Sequence, residues 1–115
     1  MSEIAPIDRI KDWPTFFEVV RERPAMWIGN VSISSFQNLI NGIRLAEYFY
    51  NISDLDSLNN FDFDEFENWV FEEINKDRLS LNSFGLARKY SENDEMGFWK
   101  WFEWHDLFLQ KSRIT

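Results

Sequence analysis

Residues 34–50 read SSFQNLINGIRLAEYFY. Phe36, Leu39, Ile40, Ile43 and Ala46, then Phe49 and Tyr50, recur at steps of three and four residues. Only a 3.6-residue period puts such positions on one face, so the stretch reads as an amphipathic helix. Ser34 and Gln37 have the spacing of a capping box, in which two side chains satisfy N–H groups at a helix start. Gly42 falls inside the run and is read as a point where another backbone or ring packs closely.

Working back from that helix, Asp12–Arg23 reads DWPTFFEVVRER. Asp12 is a good N-cap, and Pro14 costs little in a first turn, where its missing N–H would have no partner. Phe16, Phe17, Val19 and Val20 form the apolar face, and Pro24 ends the helix. Between Pro24 and Gly29, Met26, Trp27 and Ile28 are three consecutive bulky apolar residues. They are expected to cross the core as an extended plug or short strand, and could pair with Val31–Ile33 around Gly29 and Asn30. Residues 1–11 read as an extended N-terminal arm.

Working forward, Asn51–Asn60 is a polar loop. Asp62 and Glu65 repeat the capping-box spacing, and Phe63, Phe66, Val70 and Ile74 mark one face of the next helix, with Trp69 beside it. A short helix follows, capped by Asn82 or Ser83 and carrying Phe84, Leu86, Ala87 and Tyr90. The last helix runs from about Glu95 to Lys111. Its aromatics, Phe98, Trp99, Trp101, Phe102, Trp104 and Phe108, cover more than one face. Such a helix is either central to the packing or bears an exposed aromatic surface. The expected architecture is all-α: one compact domain over residues 1–115, a bundle of four to five helices, with a short β-hairpin near residues 26–33 left open.

Composition bounds the rest. A chain of 115 residues that is 44% hydrophobic and 18% aromatic holds a core without covalent staples. It has no Cys, which excludes disulfides, thiolate catalysis and Cys-based zinc sites. No apolar run approaches the ~20 residues of a membrane span, and the N-terminus lacks a signal-peptide core. The expectation is a cytoplasmic protein with no membrane partner.

The charge is local. Leu45–Asn75 holds nine acids and no Lys or Arg, while the rest of the chain carries 11 acids against 12 bases. The net charge of −8 argues against nucleic acid as partner, because phosphate binding needs Lys and Arg. An acidic field threaded with aromatics suits a surface that docks a basic protein. The expected partner-binding residues are Glu47, Asp54, Asp56, Glu65, Glu67, Glu72 and Glu73 as charges, with Tyr48 and Tyr50 as anchors.

Catalytic signals are faint. His105 is the only histidine, and with no Cys it has no obvious co-ligand for zinc. It reads as a structural or exposed side chain. Acid pairs such as Asp54/Asp56 and Asp62/Asp64 lack calcium-loop spacing, and the second pair doubles as helix caps. There is no phosphate loop and no nucleophile–base pair in sequence. The expectation is no enzyme, no cofactor and no metal.

Two resemblances bear on function. VRERPAMWIGN, Val20–Asn30, resembles the VRKRPGMYIG-type segment near the start of the ATPase domain of type II topoisomerases. Neither an E-x-x-D-N pattern nor a D-x-G-x-G loop follows it, so no nucleotide-binding residue carries over. The chain as a whole is similar in type to the small acidic immunity proteins encoded beside bacterial toxins of contact-dependent and polymorphic systems. Some small proteins of that neighbourhood share an R-P-x-M-aromatic-I-G segment, here Arg23, Pro24, Met26, Trp27, Ile28 and Gly29, followed by a helix with Ser35, Leu39 and Ile43. The pattern's glycine is offset, with Gly42 ahead of Ile43. That resemblance implies a protein that neutralises a cognate toxin, a basic nuclease domain, by direct binding. The alternative is an accessory or regulatory domain that binds a protein through the Trp-rich last helix.

Overall fold

The computed structural model describes residues 12–50 and 61–114. Six helices account for most of them: α1 (Trp13–Glu22), α2 (Pro24–Ile28), α3 (Ile33–Tyr50), α4 (Phe63–Glu73), α5 (Ser83–Lys89) and α6 (Asp94–Ile114). There is no strand among the described residues. The protein is all-α, and the expected N-terminal arm and the loop after α3 lie outside the described residues.

Besides α3, four helix starts are closed by a side-chain oxygen. Asp12 accepts from Thr15 N–H at 2.8 Å, Asp62 from Glu65 N–H at 3.0 Å, Asn82 from Gly85 N–H at 2.9 Å and Asn93 from Met96 N–H at 2.8 Å. Each satisfies one of the N–H groups that a first turn leaves without a partner. The expected cap of α3 is corrected. The helix starts at Ile33, and Ser32 Oγ, not Ser34, accepts from the backbone, taking Ser35 N–H at 3.2 Å. Ser32 also donates to Asp94 Oδ2 at 3.0 Å, which ties the start of α3 to the start of α6. Hydrogen bonds from Ser34, then from Ser32, together with nearby Arg88, hold the Asp94 carboxyl below its ordinary range against slight burial.

The hairpin near residues 26–33 is also corrected. Residues 24–28 form a single helical turn that Gly29 closes in the left-handed region, at φ 83°, its N–H donating to Ala25 O at 3.0 Å. Pro just inside a start and Gly just past an end is a helical arrangement, and here it prevails over strand propensity. Met26 therefore points largely to solvent, and Trp27 and Ile28 lean on the core without entering it.

The core is aromatic, and α6 runs through it. Phe98, Trp101, Phe102, Trp104 and Phe108 of α6 are buried together with Phe17 of α1, Phe36 of α3, Phe66 of α4 and Phe84 of α5. Trp101 lies flat on Phe84 at 5.4 Å and meets Phe17, Phe36 and Phe66 at 5.1–5.5 Å between ring centroids. Offset and edge contacts of this kind add to the burial of the rings themselves. Trp101 Nε1 donates to Ser83 Oγ at 2.9 Å, and Ser83 in turn donates through both Oγ and N–H to the Glu67 carboxylate. The buried indole and hydroxyl are thus satisfied by one chain of hydrogen bonds across α6, α5 and α4.

Close backbone approach occurs at Gly97 and not at Gly42. A Cβ at Gly97 would meet Ile33 Cγ2 at 3.1 Å, where α3 and α6 cross. A Cβ at Gly42 would meet nothing within 4 Å. Among the described residues no helix is long and apolar enough to cross a membrane.

Candidate functional site

In α4 the caps and apolar spacing that form the helix also sort its acids. Phe63, Phe66 and Val70 face the core. Asp64, Glu65, Asn68 and Glu72 then fall on the opposite side, at i+3 and i+4 steps, and all are exposed. Asp64 and Glu65 have no ion-pair partner among the described residues. Glu72 has Arg78 at 3.9 Å, with both side chains more than half exposed, a pair that contributes little in water.

The flanking acids have other work. Glu67, expected among the partner-binding residues, is half-buried and accepts from Ser83. Position 67 lies on the flank of α4 that meets α5, a fact of packing that the sequence does not carry. Glu73 faces α6, where Lys111 Nζ lies at 3.4 Å. Of the four acids expected on α4, Glu65 and Glu72 lie on its open face, and Asp64, not among the expected partner-binding residues, joins them.

The other expected residues lie at the end of α3. Glu47 is half-buried, and Tyr48 is 79% exposed. The side chain of Tyr50, with Asp54 and Asp56, lies outside the described residues. Leu45 and Phe49 are 56% and 71% exposed, although periodicity put Phe49 on the buried face. Arg44, six residues before the end of α3, sits with its guanidinium 4.5 Å over the ring of Phe63, the first residue of α4. Tyr48 and Phe49 meet edge to face at 6.0 Å.

The Trp-rich last helix does not present the stripe its composition suggested. Five of the six aromatics named from sequence are in the core, and Trp99 alone is exposed. Met96 and Leu107 share that outer side, but Glu103 separates Trp99 from Leu107.

His105 is 3% exposed, walled by Phe17, Phe61, Trp101 and Phe102. Its Nδ1 lies 3.1 Å from Asp106 Oδ1 and 3.3 Å from Arg21 Nη2. Arg21 grips Asp106 with two hydrogen bonds, at 2.7 and 3.1 Å, and its guanidinium rests 4.5 Å over Phe102. Burial pushes the imidazole pKa below its ordinary value, although Asp106 pulls the other way. Partial burial pushes Asp106 up, but hydrogen bonds from Arg21 and His105 outweigh it and hold the carboxyl low. The group pins α1 to α6. Beside it a shallow hollow of about 390 Å³ is lined by Glu18, His105, Asp106, Leu109 and Gln110. Among the described residues no three His, Asp or Glu side chains converge to hold a metal ion.

Comparison with protein-family models, with curated proteins and with solved structures finds no match to this chain.

Proposed function

We propose that this protein is a binding inhibitor: an immunity protein that docks a basic toxin domain, a nuclease, and keeps it from its substrate. The observation that carries the reading is the open face of α4. Asp64, Glu65 and Glu72 lie there on one side of three turns, the first two without an ion-pair partner among the described residues. A nuclease must hold phosphates with Lys and Arg, so a carboxylate array offers it a competing field. Charges of this kind speed encounter and set partner choice more than they add raw affinity. The resemblance in type to small acidic immunity proteins supports the same partner class.

The test is binding to the product of the neighbouring gene. The expected result is a stoichiometric complex whose association slows as salt rises. Reversing the face with Asp64→Lys, Glu65→Lys and Glu72→Lys should weaken it at least tenfold. No complex, or one unmoved by charge reversal, rejects the reading.

A further inference from the structure

We infer that the hollow between α1 and α6 is a binding site for a primary ammonium group on a short aliphatic chain, with His105 Nε2 as one of its acceptors. The inference stands apart from the docking reading, because no residue of α4 lines the hollow. Helical spacing builds the site. Leu109 and Gln110 follow Asp106 at i+3 and i+4 on α6, and Glu18 stands one turn before Arg21 on α1. At about 390 Å³ the hollow has the size of a small-ligand site.

The hydrogen bonds of His105 fix what the imidazole offers. Its Nδ1 lies 3.1 Å from Asp106 Oδ1, and Arg21 Nη2 already donates to that same oxygen at 2.7 Å. A bare lone pair on Nδ1 would face a carboxylate, so Nδ1 carries the proton and donates it to Asp106. In the neutral ring Nε2 is then an acceptor. It has no hydrogen-bond partner among the described residues. Nor is it one of their sealed, unpaired polar atoms, which are Arg21 Nε, Trp69 Nε1 and Ser91 Oγ. The side chain is only 4% exposed, and the hollow is the opening it lines. An unpaired acceptor in so buried a ring calls for a donor from the hollow.

Charge selects that donor. The charged groups facing the imidazole are Arg21 and Glu18 from α1 and Asp106 beside it on α6. Two hydrogen bonds commit Arg21 to Asp106, so two carboxylates stand against one engaged cation. An anion would meet like charge there, and a neutral alcohol would leave that excess unanswered. An ammonium group brings three donors and the complementary charge. Leu109 gives its methylenes an apolar strip to lie on.

The experiment titrates the full chain with n-butylamine hydrochloride, n-butanol and sodium butyrate at neutral pH. Nitrogen-15 NMR follows the imidazole, His105 being the only histidine. Butylammonium is expected to shift the Nε2 resonance saturably, with butanol and butyrate at least tenfold weaker. Glu18→Gln, at an exposed position, should weaken butylammonium at least threefold. Acid puts a proton on Nε2 and a positive charge in the hollow. Affinity should therefore fall at least tenfold through the imidazole's own titration, below about 6.5. No saturable shift, an equal response to butanol, or a response that Glu18→Gln leaves unchanged overturns the site. A proton on Nε2 in the neutral ring, or a loss of binding only in the acid range of the carboxylates, overturns the role of Nε2. N-acetyl-lysine amide separates two sources of the same chemistry. Tighter binding than butylammonium assigns the hollow to a lysine side chain, weaker binding to a free amine, and either supports the ammonium site.

Discussion

Along α6, Phe98, Trp101, Phe102, Trp104 and Phe108 are buried, whereas Tyr48 and Phe49 at the end of α3 stand mostly in solvent. Both stretches are dense in aromatics, and both are helical. They differ in what surrounds them. α6 is met by α1, α3, α4 and α5, and its rings have partners on several sides. α3 buries Ile33, Phe36 and Ile40 in its first half and then outruns that cover. Aromatic content marks a helix as valuable to a core or to a partner, and the neighbours decide which.

The sharpest way to break this comparison is to remove one ring from each region. Trp101→Ala deletes a fully buried indole and should cost about 3–5 kcal/mol, read as a fall in the urea midpoint. Phe49→Ser should change the same midpoint by no more than about 0.5 kcal/mol, as exposed positions do. Equal losses would mean that the end of α3 is part of the core.

The acids of α4 offer the same contrast on a smaller scale. Glu67→Ala removes the acceptor of Ser83, whose side chain is fully buried, and should destabilise by about 1–3 kcal/mol. Glu65→Ala should be close to neutral in stability and visible only in binding.

The pin of α1 on α6 adds a pH dependence. Burial lowers the folded-state pKa of His105, so the unfolded chain takes the proton first as pH falls. Its stabilisation is complete above the ordinary histidine value of about 6.5 and is lost below it, through the lower folded value. Asp106, held low, loses its contribution only at stronger acid. Urea midpoints from neutral pH to about pH 5 should decline in the wild type and decline less in His105→Gln. Equal slopes would move the effect to the carboxylates.

The smallest effect probes the open side of α3 at Gly42. Gly42→Ala places a methyl in open space and should stabilise by about 0.5–1 kcal/mol, through helix propensity alone. Gly97→Ala, against Ile33, should go the other way.

Much of this protein follows from local sequence. Asp12, Asp62 and Asn82 announce helix starts, because a short side-chain oxygen before an apolar-periodic run satisfies N–H groups that nothing else in the turn can reach. The spacing of Phe63, Phe66 and Val70 fixes the buried side of α4, and with it the open side where Asp64, Glu65 and Glu72 stand. The helix at residues 24–28 was missed, because three bulky residues between Pro24 and Gly29 read as an extended plug or short strand. Tertiary structure alone decided the extent of cover. Periodicity states which way a side chain points and not whether a neighbour reaches it, so Phe49 reads as core and stands in water. Glu67 reads as surface charge and caps a buried serine, because its partner lies 16 residues away on another helix. Gly42 and Gly97 are alike as letters, and only the crossing of α3 and α6 makes the second one tight.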